Sequence, residues 1–314
     1  MKSRIVVLPG DGIGPEVTAG AQQILEHVAN LFGHEFQFKE HLMGGCSIDR
    51  HGIPLTEETL ADCNTADAVL LGAIGGPKWD DPAAKVRPEM GLLALRKGMG
   101  LFANLRPVRP HPDLLQASPL KSERLAGVDV LVVRELTGGI YFGEPRGRDS
   151  SIDGRTRAVD SMVYWDYEIE RVVELACTLA AERRCKVTSV DKANVLETSR
   201  LWRQTAEKVA AAHPQIAFDH QLVDTIAMRL VTQPASFDVL VTGNMFGDIL
   251  TDEASVLTGS MGNMPSASLG DGGPGMYGAN SRLRAGYRRG RHRQPYRFNS
   301  SCSNAATALI EPRT

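Results

Sequence analysis

The sequence has no run of about 18 consecutive apolar residues, which argues against a membrane-spanning helix. Its opening residues, Met1-Lys2-Ser3-Arg4, lead straight into strand-like Ile5–Leu8, without the apolar core and cleavage site of a secretory signal. Five cysteines (Cys46, Cys63, Cys177, Cys185 and Cys302) are scattered with no metal-type pairing, as expected for reduced, structural thiols in a cytoplasmic protein. There are no internal repeats and no low-complexity segments. A Rossmann fingerprint is also missing: after strand Ile5–Leu8 the loop reads Gly10-Asp11-Gly12-Ile13-Gly14-Pro15, a G-x-G-x-G spacing rather than G-x-G-x-x-G.

What is present suits a globular protein of 314 residues, with 42% hydrophobic and 23% charged residues, enough chain for two domains. The net charge of −2 conceals an asymmetry. Residues 278–314 hold eight arginines against one acid, Glu311, a balance of +7, which leaves −9 on residues 1–277. By composition alone that end reads as a basic arm for nucleic acid or an acidic surface.

Strand and helix patterns alternate along the chain. Val17, Ala21, Ile24, Leu25 and Val28 recur at helical spacing, and strands are predicted at Glu35–Lys39 and Ala68–Leu71, with a helix starting near Thr56. Gly72 to Trp79 is a Gly-rich loop. A helix over Leu92–Arg96 and strands over Leu101–Arg106 and Val128–Val133 follow, the last ending in Arg134-Glu135. Thr137–Gly143 reads as a turn into a projecting strand. A helix through Ile169–Leu179, strand Val187–Val190, helix Thr198–Ala212 and strand Ile216–Leu222 complete the middle of the chain. The alternation predicts a largely parallel sheet covered by helices on both faces.

Val239–Val241 reads as a buried strand, and Gly243-Asn244 turn the chain into a helix that carries Asp248 and Asp252 four residues apart. On a helix these carboxylates share a face and repel. Two readings stand side by side: a solvated acidic face, or a hard-cation site in which Mg²⁺ or Mn²⁺ cancels the repulsion.

Several long segments, in order, carry a resemblance: LPGDGIGPEV, GGPKW, RPEMGLLALRK, FANLRP, VRELTGGIYFGEPRG, SVDKANVLE and TGNMFGDILTDEASVLTGSMGNMPSASLGDGGPG. From Ile5 to Tyr277 the chain resembles the isocitrate/isopropylmalate dehydrogenase family of decarboxylating dehydrogenases. The resemblance implies that family's own α/β fold, not a Rossmann fold, with two α/β domains around a central cleft and subunits paired as homodimers. It implies a first domain from residues 1–100 and 251–277 and a second, for dimerisation, metal and catalysis, from residues 101–250. It also implies NAD-dependent oxidative decarboxylation of 3-isopropylmalate to 2-oxoisocaproate in leucine synthesis, with tartrate or another alkylmalate as alternative substrates and no role for nucleic acid or membrane.

Residue by residue, the resemblance assigns Arg96, Arg106 and Arg134 to the substrate carboxylates, which guanidinium forks bind bidentately. Asp248 and Asp252 match the ligands of Mg²⁺ or Mn²⁺, and Asp224 matches a carboxylate lent to metal and substrate by the second subunit. Lys192 is the implied general base and Tyr141 the acid that protonates the enolate carbon. Leu92 and Leu93 fall where the substrate side chain is contacted and suit an isopropyl group. Gly76, Pro77, Lys78, Trp79, Glu89 and Asn194 are expected near the nicotinamide end of NAD.

After Tyr277 the resemblance stops within one residue. If one base is dropped from a back-translated Gly278 codon, synonymous choices allow the family's continuation, E-P-I-H-G-S-A-P-D-I-A-G-x-G-I-A-N-P, which holds the adenosine half of NAD. The arginine-rich segment is therefore expected to be a frameshift product rather than a nucleic-acid arm, and to be disordered or poorly packed. An impaired relative that cannot hold NAD is the alternative this leaves.

Overall fold

The computed structural model describes residues 1–81, 83–150 and 154–279. In chain order its elements begin with β1 (Lys2–Gly10), α1 (Gly14–Phe32), β2 (Glu35–Glu40), α2 (Gly45–His51), α3 (Glu57–Thr65), β3 (Ala68–Ala73) and α4 (Pro88–Gly98). Next come β4 (Leu101–Val108), α5 (Ser122–Leu125), β5 (Val130–Glu135), β6 (Arg146–Ser150), β7 (Thr156–Asp160), α6 (Asp166–Ala181) and β8 (Lys186–Asp191). The remainder are α7 (Glu197–Ala211), β9 (Ala217–Leu222), α8 (Val223–Thr232), β10 (Val239–Thr242), α9 (Asn244–Ser255), β11 (Pro265–Gly270) and β12 (Gly275–Ala279).

The described chain divides into two compact units, one of residues 1–101 and 258–279, the other of Phe102–Leu257. A boundary at 250/251 would cut α9 in two. The division falls beyond Ser255 because α9 is one helix, with Leu250, Thr251 and Ala254 buried along it. Apart from Gly278 and Ala279 at the end of β12, the expected tail lies outside the described residues.

In the first unit the strand order is β2-β1-β3-β12-β11. The first three pairings are parallel, and β11–β12 is antiparallel. Strand β3, AVLLGA, is buried at every position, as a central parallel strand with both faces covered must be. Helix α1 packs Ala21 and Leu25 onto Ile5, Val7 and Leu70.

In the second unit the order is β4-β5-β10-β8-β9, parallel except for β4–β5. Helices α6 and α7 bring Val172, Val173, Ala176, Trp202 and Ala206 against Val133, Val187, Val239 and Val241. The strands are thus largely parallel, as expected, with one antiparallel pairing described in each unit. The turn Asp271–Pro274 between β11 and β12 is far too short for a parallel crossover, so these strands pair antiparallel.

Two further differences bear on the site. The strand predicted straight after the Thr137 turn starts only at Arg146, because the chain first winds a 3₁₀ turn over Gly139–Tyr141. Val223-Asp224-Thr225, read only as the sequel to a strand, opens helix α8. Its period was masked in the sequence because apolar residues lie on both faces: Ile226 and Leu230 are buried while Met228 and Val231 are exposed. Among the described residues no helix is long and apolar enough to cross a membrane.

Candidate active site

Strand β5 ends by delivering Arg134, 3% exposed, towards the start of α9. Buried β10 stops at Thr242, Gly243 caps the helix in extended conformation, and Asn244 and Asp248 then lie one turn apart on one face of α9, with Asp252 a further turn on. Arg134 spans that turn. One terminal nitrogen pairs with the Asp248 carboxylate, while Nε and the other terminal nitrogen donate to Asn244 Oδ1 at 3.2 and 2.8 Å. The second Asp248 oxygen accepts the Tyr141 hydroxyl at 2.8 Å. Arg134, Tyr141 and Asp248 are therefore brought together, and the guanidinium also lies over the Tyr141 ring. Asp252 is only partly buried.

The turn that presents Tyr141 is built on Glu135, which is fully buried. Its carboxylate accepts the Thr137 N–H and hydroxyl, both at 2.6 Å, and the Gly138 N–H at 2.9 Å. Burial pushes the Glu135 carboxyl above the usual range, and these three donors pull against it.

Lys192 follows β8 and is fixed through its backbone. Its N–H donates to Ser199 Oγ at 3.1 Å, and its carbonyl accepts from Val195 and Leu196 at 3.0 and 2.9 Å. The preceding Asp191, 1% exposed, accepts from Arg203 Nε and Nη2, both at 2.9 Å, and from the Ala193 N–H at 2.8 Å. Lys192 Nζ reaches Asp224 Oδ1 at 2.6 Å, and this hydrogen bond holds the Asp224 carboxyl below the ordinary carboxylate range. Asn194 is exposed beside this loop.

Asp224 does not join Asp248 and Asp252 within one chain. Among the described residues, the group whose three metal-type ligand atoms lie within 4.8 Å of one another is His41, Glu58 and Asp62. There Asp62 is engaged by the Lys39 ammonium and by His41 Nε2 at 2.6 Å, so the cluster reads as an ion-pair network.

Arg106, 4% exposed on β4, donates from Nε to Asn104 Oδ1 at 2.7 Å. In the first unit, α4 carries Glu89, Leu92, Leu93 and Arg96 at i, i+3, i+4 and i+7, one helical face. Arg96 is buried, Leu92 and Leu93 are partly buried, and Glu89 is exposed, with Oε1 beside Gly75. Gly76 leads into a 3₁₀ turn over Pro77–Trp79 that is strapped to α2, since Asp49 accepts from Lys78 Nζ at 2.6 Å and from Trp79 Nε1 at 3.3 Å.

The family model for isocitrate/isopropylmalate dehydrogenase matches residues 4–280. The chain belongs to that family. Members similar to it include the 3-isopropylmalate dehydrogenase of Anaeromyxobacter dehalogenans, 68% identical over 277 residues, which cover 88% of this chain and 78% of that protein. The 3-isopropylmalate dehydrogenase of Geobacillus kaustophilus is 58% identical over 274 residues, covering 87% of this chain and 74% of the relative. Among solved structures, isocitrate dehydrogenase from Methylococcus capsulatus superposes with a TM-score of 0.80 at 27% identity, covering 98% of this chain and 85% of that one. A beta-decarboxylating dehydrogenase from Thermococcus kodakarensis gives 0.67 at 33% identity, over 88% and 74%. The fold is that of the isocitrate/isopropylmalate dehydrogenase family, and family members are decarboxylating dehydrogenases acting on small-molecule substrates.

Sequence reasoning passed over Asn244, Tyr164, Asp49 and the Arg203–Asp191 clamp. For Asn244 a signal existed: it precedes Asp248 by four residues and so shares its helical face. The others act across tertiary contacts that no local spacing reveals.

Proposed function

We propose that this protein catalyses the NAD-dependent oxidative decarboxylation of 3-isopropylmalate to 2-oxoisocaproate in leucine synthesis. The observation that carries the reading is the joint hold of Arg134 and Tyr141 on Asp248: a carboxylate-binding fork, a proton donor and a hard-oxygen ligand meet at the end of β5 and the start of α9. The relatives at 58–68% identity bear the name of this activity.

The donor set fits a divalent cation of the Mg²⁺ or Mn²⁺ kind, since Asp248, Asp252 and Asp224 of the partner subunit offer only carboxylate oxygens. When bound, that cation supplies Lewis acidity to the substrate hydroxyl and NAD supplies the hydride acceptor. Arg96, Arg106 and Arg134 bind the two substrate carboxylates, and their burial keeps water from competing for the forks. Lys192 takes the hydroxyl proton as the alcohol carbon becomes a carbonyl. Carbon dioxide then departs from the neighbouring carbon, and Tyr141 hands that carbon a proton. Leu92 and Leu93 offer the isopropyl group an apolar face. Glu89, Asn194 and Gly76–Trp79 serve the nicotinamide end of the cofactor.

The active form is a homodimer. On α8, Met228 and Val231 are 63% and 44% exposed and lie four and seven residues after Asp224, on its face. Ile249 on α9 and Val256 at its C-cap, 57% and 41% exposed, flank Asp252 at the same kind of spacing. A second copy covering these apolar residues carries its own Asp224 to the metal carboxylates. Replacement of Lys192 by Ala tests the chemistry: turnover should vanish with 3-isopropylmalate binding kept, and unchanged turnover would sink the assignment.

A second reading, a dehydrogenase impaired in NAD binding, is favoured by one observation: the family match ends at residue 280, inside the chain. Calorimetric titration with NAD separates the two, micromolar-range binding supporting the intact enzyme. Resequencing the gene across the codons for Tyr277 and Gly278 tests the frameshift.

A further inference from the structure

Every polar atom of the Asn244 side chain is committed. Oδ1 accepts both the Nε and one terminal N–H of Arg134, and Nδ2 donates to the Gly138 carbonyl at 3.1 Å. The carbonyl partner requires a donor, so the amide orientation is dictated and Oδ1 must face the guanidinium. Its backbone N–H, one of the donors left over at the start of any helix, is taken by the Tyr164 hydroxyl at 2.7 Å. The side chain is buried, so each of these groups depends on its protein partner.

Three elements of the site converge on this one residue. Arg134 comes from β5, the Gly138 carbonyl belongs to the turn that carries Tyr141, and Asp248 lies one turn along the same helix. An aspartate could not replace the amide, because its carboxylate would face the Gly138 carbonyl and stand one turn from Asp248.

Tyr164 anchors the arrangement. Its side chain fills space that Gly138, Gly139 and Gly243 leave open: a Cβ would come within 2.7 Å of the ring at Gly138, and within 2.7 and 3.0 Å of the hydroxyl oxygen at Gly139 and Gly243. One tyrosine thus packs against the glycines of both Thr-Gly-Gly and Thr-Gly-Asn. Burial and the nearby Glu135 push the phenol pKa well above its usual value, so Tyr164 stays neutral.

We infer that Asn244, held by Tyr164, is a positioning residue that keeps the substrate-binding Arg134 and the Tyr141 turn in register with Asp248. The inference rests on the proposed function for the identity of the substrate, but its geometric part does not.

Two measurements keep them apart. In a ¹H–¹⁵N spectrum of the full-length protein, the Arg134 Nε–H, assigned by its loss in Arg134→Lys, should be protected from exchange and become unprotected in Asn244→Ala. A signal equally protected in Asn244→Ala would overturn the inference whether or not the protein turns over 3-isopropylmalate. In steady-state kinetics, Asn244→Ala should raise KM for 3-isopropylmalate about ten-fold or more and move KM for NAD less than about two-fold. Tyr164→Phe, which removes the hydroxyl and keeps the ring beside Gly138, should show a smaller rise of about three-fold. Equal changes in both KM values, or none, would mean that Asn244 only supports the fold. Wild-type protein inert towards 3-isopropylmalate would instead refute the proposed function, with the exchange measurement still deciding the role of Asn244.

Discussion

Replacing Gly247 by Ala sets two effects of opposite sign against each other. Gly247 lies within α9, where alanine is the better helix former by about 1 kcal/mol. Its missing Cβ, however, points at Arg134: a methyl there would sit 2.6 Å from Cγ, 2.8 Å from Cβ and 3.1 Å from Cδ. These atoms are the stem of a buried side chain, pinned at its far end by Asn244 and Asp248, so it cannot swing aside. Overpacking of this kind costs about 1–3 kcal/mol, and the clash with three stem atoms places it at the upper end. The clash wins, and the net loss is about 1–2 kcal/mol, a fall in Tm of about 2–8 °C for a unit of this size. The displaced fork should also raise KM for 3-isopropylmalate. Thermal unfolding followed by circular dichroism, with kinetics on the same preparation, measures both. A Gly247→Ala variant with higher Tm and unchanged KM would refute the reasoning, because it would mean that Arg134 is free to move.

Met228→Lys puts a charge in the exposed apolar face of α8 and should convert the proposed dimer to monomers in light scattering, with loss of turnover. If Asp224 of the partner subunit completes each site, then mixing the inactive Asp224→Asn and Asp252→Asn proteins should restore about a quarter of wild-type activity, through heterodimers with one intact site. The Asp224 carboxyl is depressed by Lys192, so the pair stabilises the fold above the ordinary aspartate range and is lost as pH falls through the depressed value. The difference in Tm between wild type and Asp224→Asn should therefore be constant at neutral pH and disappear in acid below about pH 4. Burial pushes the Cys63 thiol to about 12 and Cys177 to about 11, so both should resist iodoacetamide at neutral pH in the folded protein, as read by mass spectrometry.

Much of the fold was legible because its central strands are buried on both faces. Ala68–Leu71 and Val239–Val241 stand out as continuous apolar runs, and the helices of α1, α6 and α7 show one-sided periodicity. Helix α8 was not, because the face that would mark it as solvent-exposed carries Met228 and Val231. The antiparallel pairings β4–β5 and β11–β12 were also hidden, since strand direction depends on the connection rather than on composition.

The site divides the same way. Arg134, Tyr141 and Asp248 were named from motifs and meet in the structure, as do Lys192 and Asp224. What supports them was not visible: Tyr164 reaches Asn244 from 80 residues away, and Arg203 reaches Asp191 from the next helix. Such contacts are tertiary, and they leave no spacing in the chain.

The most direct test of the account is an assay of the full-length protein with NAD and Mn²⁺, offering 3-isopropylmalate and isocitrate separately and recording NADH and carbon dioxide together. The account predicts equimolar NADH and carbon dioxide from 3-isopropylmalate, little from isocitrate, and none from the Lys192→Ala variant. Preference for isocitrate, or NADH without carbon dioxide, would contradict it.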